Sequence, residues 1–198
     1  ILKNMITREE AQIAFHLAGE PEDAETIAKR AGMESEKIIP HLEAMAVKGV
    51  IFKFFEEPPL YDLVSMVPGI YEYQVGSMTP KMAVLWERYF EEKLGQSFLT
   101  HDTSLVRVIP VEQAVTSDLN ILTYEEVEKI LDEASAITLT DCLCRTKKKM
   151  LGEGCDAPNK DICIYLESWA DYFAHMGRGR RVTKEEAKAA LMRAEEAG

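Results

Sequence analysis

Four cysteines within 22 residues are the feature that most constrains this chain. Cys142, Cys144, Cys155 and Cys163 follow the spacing C-x-C-x10-C-x7-C, and no other cysteine occurs in the 198 residues. Cys142 and Cys144 are separated by one residue, too close to bridge each other comfortably. A chain of this length also buries a core without disulfide cross-links. The spacing therefore favours a shared metal centre over a disulfide framework.

The residues around these cysteines suit two kinds of metal centre. Gly152 and Gly154 allow the insert to turn back towards the C-x-C pair, and Ala157-Pro158-Asn159 is a turn signal. Four thiolates bind either Zn²⁺ or an iron–sulfur cluster. Structural zinc more often uses C-x2–4-C pairs, which this segment lacks, and a C-x-C pair fits a cubane cluster at least as well. Cysteine spacing alone does not distinguish a zinc site from an iron–sulfur cluster.

Three runs around the cysteines resemble the cluster-binding segment of a known family: CLCR (142–145), GEGCDAPNKDIC (152–163) and MGRGRRVTKEEAKAALMRAEEAG (176–198). The family comprises [4Fe-4S]-binding, ferredoxin-like proteins of the dicluster type from anaerobic prokaryotes, with an N-terminal winged-helix-like head. Further runs similar to it are YDLVSMVPGIYEYQ (61–74), TPKMAVLWERYFEE (79–92) and LVRVIPV (105–111). The resemblance thus covers nearly the whole chain. It implies that Cys142, Cys144, Cys155 and Cys163 bind one [4Fe-4S] cluster, with zinc as the alternative.

Composition indicates an acidic, globular protein. Its 23 Lys and Arg against 34 Asp and Glu give a net charge of −11, and 46% of the residues are hydrophobic. The acidic balance opposes nucleic-acid binding, which depends on neutralising phosphates. No apolar run is long enough to span a bilayer, and clustered unpaired thiols are typical of a reducing compartment. We expect a soluble cytoplasmic protein with no membrane span.

The predicted fold class is mostly α (α+β), in three parts. Residues 1–65 form a winged-helix-like domain, and 66–135 form a connecting α/β region. Residues 136–198 form the helical, four-cysteine region with a small strand pair. In the first part a helix over 7–18 carries a capping box from Thr7 to Glu10, and others begin near Pro21 and Ser35. Two β-rich runs follow: Val50–Phe55 and Leu60–Val64.

Three helices and a hairpin suggest DNA binding, but the charge does not. Residues 1–65 contain seven Lys or Arg and twelve Asp or Glu, a net charge of −5. The predicted wing tip is Glu56-Glu57, which a phosphate backbone would repel. A head that contacts another protein, or a purely structural head, is the favoured interpretation.

The remaining elements lead up to the cysteines and beyond. An amphipathic helix from Thr79-Pro80 to Gly95 carries an aromatic stripe typical of a core, and its length also suits a homodimer interface. Strands are predicted at Leu105–Val111 and Ala136–Thr140, a helix capped by Thr123 between them, and a helix over Asp161–His175 with Cys163 in its first turn. Thr183 and Glu186 form a second capping box.

Eight basic residues flank the cysteines: Arg145, Lys147, Lys148, Lys149, Arg178, Arg180, Arg181 and Lys184. Positive charge would stabilise a negatively charged four-thiolate cluster, or dock an acidic protein redox partner. The alternative is a solvated basic loop.

No catalytic set accompanies these residues, since the chain has neither G-x-S-x-G nor a dinucleotide fingerprint. The pattern therefore favours an electron-transfer component over an enzyme with its own substrate. Two alternatives stay open: a redox- or iron-sensing winged-helix transcriptional regulator, and a structural zinc-binding interaction protein.

Overall fold

The computed structural model describes residues 1–100 and 127–197 as a mixed α/β chain, compatible with the expected α+β class. Its two small sheets are three-stranded and antiparallel. Within these residues no helix is long and apolar enough to cross a membrane. The helices are α1 (Arg8–Ala14), α2 (Ala24–Ala31), α3 (Ser35–Lys48), α4 (Pro80–Tyr89), α5 (Gly95–Thr100), α6 (Val127–Glu133), α7 (Leu143–Met150), α8 (Glu167–His175) and α9 (Lys184–Glu196). The strands are β1 (Glu22–Asp23), β2 (Ile51–Phe54), β3 (Leu60–Leu63), β4 (Ile137–Thr140), β5 (Cys163–Leu166) and β6 (Arg180–Arg181).

Short-range capping sets the starts of the first two helices. The Thr7 hydroxyl accepts from the Glu10 amide while the Glu10 carboxylate accepts from the Thr7 amide, which confirms the predicted capping box of α1. The predicted start of α2 near Pro21 is wrong. Asp23 caps this helix by accepting from the Thr26 amide at 2.7 Å. Glu22 and Asp23 form β1, which pairs with β3.

The third helix runs directly into the first sheet, whose strand order is β1-β3-β2. Helix α3 continues through Pro40 and ends at Gly49, which has a φ of +71°. A Cβ at Gly49 would lie 2.5 Å from the Cβ of Tyr73, so only glycine fits this close approach. The turn delivers β2 to pair with β3, with Phe52 opposite Asp62.

The connecting region is described in part. Irregular turns over Met66–Ile70 and Glu72–Gln74 lead to α4, whose first residue is Pro80, as predicted. The Thr79 hydroxyl caps this helix by accepting from the Met82 amide, and α4 ends at Tyr89, before the predicted end at Gly95. A π-helical turn over Phe90–Leu94 joins α4 to α5. The predicted strand at Leu105–Val111 and the predicted cap Thr123 lie outside the described residues.

The second sheet has the order β5-β4-β6 and holds the cysteine segment. The prediction that Asp161–His175 is one helix is wrong. Cys163 begins β5 opposite Thr140 of β4, and α8 begins only at Glu167. The run from Cys163 to Leu166 is rich in β-branched and aromatic side chains, and β4 supplies the partner that makes it a strand.

One buried aromatic cluster joins the N-terminal head to the cysteine region. The Tyr172 ring lies 4.9 Å from Phe52 and 4.3 Å from Tyr73, and its hydroxyl donates to the Ala46 carbonyl at 2.6 Å. Tyr172 and Phe173 are both fully buried in this cluster. Helix α8 therefore completes the core into which α3, β2 and α4 also pack.

Candidate functional site

Two backbone elements place three of the four cysteines at one end of the second sheet. Cys142 follows β4 as the N-cap of α7, and Cys144 lies in the first turn of that helix. Cys163 begins β5 beside the end of β4. The Cys142 amide donates to the Asn159 carbonyl at 2.8 Å, and this bond ties the cysteine loop to the start of the helix.

The three thiols interact around Cys142. The Arg145 amide, in the first turn of α7, donates to Cys142 Sγ at 3.5 Å. The Cys144 thiol, and then the Cys163 thiol, lie close enough to donate to this sulfur, and they lower the pKa of Cys142. The same contacts, together with burial, raise the pKa values of Cys144 and Cys163. Negative charge in the group therefore concentrates on the sulfur that faces the helix N-terminus.

The fourth cysteine is held apart from this group. Cys155 is exposed in the loop between Gly152 and Asp161. The far end of the loop is anchored, because the Arg145 guanidinium donates to the Pro158 carbonyl and Asn159 exchanges hydrogen bonds with Thr146. The near end is anchored as well, because the Glu153 amide donates to the Lys148 carbonyl at 2.9 Å and the Glu153 carboxylate pairs with Lys148.

Three of the four cysteine thiols lie together at the start of α7. In the described part of the chain, no group of three or more His, Cys, Asp or Glu side chains is placed so that it could hold a metal ion. A centre with four thiolate ligands would need Cys155 in addition to these three cysteines.

Buried acidic and phenolic groups surround the sulfurs. The Tyr71 hydroxyl is buried beside the Cys144 thiol, without the geometry of a hydrogen bond to it or to any other group in the described residues. Burial first, and then the Cys144 charge, raise the pKa of Tyr71. Burial likewise raises the pKa values of Glu72 and Tyr165. Tyr71 is buried, whereas Glu72 and Tyr165 are half-buried and Cys144 is exposed, so the site is screened from solvent on one side only. Within the described residues the Tyr71 hydroxyl has no acceptor.

The sequence did not identify Tyr71 as part of the site. Its neighbours in the chain showed only an aromatic pair, Tyr71 and Tyr73. Contact with Cys144 depends on α4 and α7 packing against each other, which sequence spacing does not show.

The basic residues of α7 differ in their surroundings. Lys147 is buried, forms an ion pair with Glu87, and lies 4.3 Å above the Phe90 ring. Lys148 contacts both Glu87 and Glu153 at 2.6 Å. Lys149 is exposed and has no ion pair among the described residues. Of these three lysines, only Lys149 presents its charge freely to solvent.

The basic residues after α8 are also engaged. Arg180 contacts Glu186 at 2.6 Å, and Arg181 forms an ion pair with Asp171. Lys184 donates to the Asp132 carbonyl, and Arg178 donates to the Val47 carbonyl at 2.5 Å. Nearby acids thus neutralise Arg180 and Arg181, which reduces the positive charge that this segment offers to a partner.

Comparison with known proteins adds no assignment: no family model matches the chain, and no curated protein or solved structure matches it.

Proposed function

We propose that this protein binds one [4Fe-4S] cluster through Cys142, Cys144, Cys155 and Cys163 and exchanges electrons with a protein redox partner. The observation that carries the proposal is the meeting of Cys142, Cys144 and Cys163 at the N-terminus of α7. Such clusters are held by four cysteine thiolates, and the chain contains four cysteines. Thiolate ligands of this kind need reducing surroundings, so we place the protein in the cytoplasm.

The surroundings of the thiols support a redox cluster. Hydrogen bonds to the sulfurs and exclusion of solvent are the main ways in which a protein adjusts cluster potential. The buried Tyr71 hydroxyl and the Arg145 amide are two donors at this position. A structural zinc site would use the same four thiolates and has no redox chemistry, so metal content distinguishes the two.

The loop that carries Cys155 decides whether the fourth ligand is available. Anaerobic reconstitution with iron and sulfide should yield about four irons and four sulfides per chain and broad visible absorbance. Cys155→Ser should lose most of that absorbance, because a hydroxyl replaces one thiolate. Ala157→Ser, which alters the same loop without removing a ligand, should bind the cluster normally. One stoichiometric zinc, with no iron after strictly anaerobic preparation, would refute the proposal.

We further propose that the N-terminal head is a winged-helix-like module that docks a protein rather than DNA. It contains three helices and a hairpin, and its charge is −5 over residues 1–65. The hairpin tip carries Glu56 and Glu57, both exposed. A sequence-specific DNA footprint that survives physiological salt would contradict this role and favour a regulator.

The redox partner is proposed to approach the exposed face around Cys155 and Lys149. Lys149→Gln should slow electron transfer from an acidic donor by about twofold to fivefold at low salt, because a rim charge mainly affects association. The difference should shrink at high salt. Lys29→Gln removes an exposed lysine from α2 in the head and serves as the control. Equal rates for the two variants at low salt would exclude docking at this face.

A further inference from the structure

A cavity of about 440 Å³ lies where the head meets α4 and the segment after α8. Its charged lining residues are Lys48, Lys81 and Arg178, and none of the acidic residues that the structure describes lines it. The four cysteines are also absent from the lining, so this site is separate from the proposed cluster. A cavity whose charged lining residues are all basic is unexpected in a chain with a net charge of −11.

Arg178 carries an unsatisfied donor. One guanidinium nitrogen donates to the Val47 carbonyl, but Nη1 is buried and has no hydrogen-bond partner in the described residues. No carboxylate in residues 1–100 or 127–197 pairs with this guanidinium, and burial lowers the pKa of Arg178. An unpaired buried charge is costly, so a bound anion would remove a penalty that the protein otherwise carries.

The two lysines supply different amounts of free charge. Lys48 contacts the Glu10 carboxylate at 2.5 and 2.6 Å, so its charge is already balanced. Lys81 is exposed, and its one polar partner in the described part of the chain is the neutral Asn4 side chain, at 2.7 Å. Arg178 and Lys81 therefore leave an excess of about two positive charges, which matches the charge of a phosphate monoester near neutral pH.

We propose that this cavity binds a small phosphate monoester, with the phosphate between Arg178 and Lys81. Arginine and lysine are the side chains that commonly bind phosphate oxygens in proteins. The cavity exceeds the size of phosphate alone and lies within the usual range of about 300–1,000 Å³ for small-molecule sites. Met5, Val47 and Met82 form an apolar wall that the organic part of the ligand contacts.

Calorimetric titration of the full chain tests the proposal, with inorganic phosphate, phenyl phosphate and benzoate as probes in chloride buffer at constant ionic strength. Phenyl phosphate should bind more tightly than inorganic phosphate because its ring contacts the apolar wall, and more tightly than benzoate, which carries one charge. The proposal would be overturned if phenyl phosphate showed no saturable binding, or if benzoate bound as tightly as phenyl phosphate.

Substitutions locate the site. Arg178→Lys should weaken phenyl phosphate binding about tenfold or more, because lysine lacks the guanidinium fork. Lys81→Gln should weaken it about fivefold, and since this side chain is exposed the variant should fold even if Arg178→Lys does not. Lys93→Gln makes the same charge change outside the cavity and should bind as the unaltered chain does. Equal affinities for Lys81→Gln and Lys93→Gln would show that phosphate binds elsewhere.

Discussion

The buried ion pair between α4 and α7 predicts an asymmetric response to mutation. Glu87 contacts both Lys147 and Lys148, whereas Glu87 and two aromatic rings are the only groups in the described residues that the Lys147 ammonium contacts. Removing Glu87 therefore leaves a buried ammonium without a counter-charge. Removing Lys147 leaves Glu87 still paired with Lys148. We expect Glu87→Gln to be much more destabilising than Lys147→Met.

The magnitudes follow from burial. The Lys147 side chain is 7% exposed, and breaking a buried ion pair from one side costs about 3–5 kcal/mol. The Phe90 ring, 4.3 Å from the ammonium, retains up to about 2 kcal/mol of cation–π attraction. Glu87→Gln should thus cost about 2–4 kcal/mol. Lys147→Met keeps the aliphatic packing and should cost about 1 kcal/mol or less.

Urea unfolding of the metal-free chain, followed by far-ultraviolet circular dichroism, measures these values. A loss of 3 kcal/mol lowers the midpoint by about 1–3 M if the slope is unchanged. The double variant Glu87→Gln, Lys147→Met removes both charges and should be more stable than Glu87→Gln alone. Two results would contradict this prediction: equal losses of unfolding free energy in Glu87→Gln and Lys147→Met, or a double variant no more stable than Glu87→Gln. Either would show that Glu87→Gln does not leave the Lys147 ammonium as an unpaired buried charge.

Three further outcomes are expected. Tyr172→Phe should lower the free energy of unfolding in urea by about 1 kcal/mol by removing the buried hydrogen bond to Ala46. Burial alone would raise the pKa of Glu10, but hydrogen bonds from Lys48 and Thr7 lower it below the ordinary 4.5. The charged Glu10 carboxylate therefore stabilises the fold above pH 4.5, and this stabilisation is lost as the pH falls through the folded-state pKa of Glu10. Glu10→Gln should thus flatten the acid-side decline in melting temperature. Glu36→Gln, at an exposed position, should not. Thr183→Ala should cost about 1 kcal/mol and speed amide exchange in α9, and unchanged exchange would contradict the role of this cap.

Features that depend on residues a few positions apart were predictable from the sequence. The capping boxes at Thr7 and Thr183, and the start of α4 at Pro80, are confirmed because both partners lie within one helical turn. Cys163 was assigned to the wrong element because its strand forms only against β4, more than twenty residues away in the chain. The periodicity of β5 alone does not distinguish a short strand from the first turn of a helix.

The sequence indicates which residues form the candidate site, but it does not indicate which side chains surround them. The clustering of cysteines predicted that all four converge, and this stays a prediction, because the placement of Cys155 depends on how its exposed loop packs. Likewise, the basic run at Lys147–Lys149 looked uniform in sequence. Only the packing of α4 reveals that Lys147 is buried against Glu87. Charge pairing of this kind depends on tertiary contacts, which a single sequence does not contain.

The hydrogen bond from Tyr172 to Ala46 joins residues 126 positions apart, and this has a consequence for synthesis on the ribosome. When α3 and β2 emerge, the aromatic faces of Phe52 and Tyr73 have no Tyr172 to cover them. At about 5–20 residues per second, the gap lasts roughly 6–25 s. Throughout that time the nascent head exposes apolar surface, which makes it a substrate for chaperones that recognise exposed aromatic side chains.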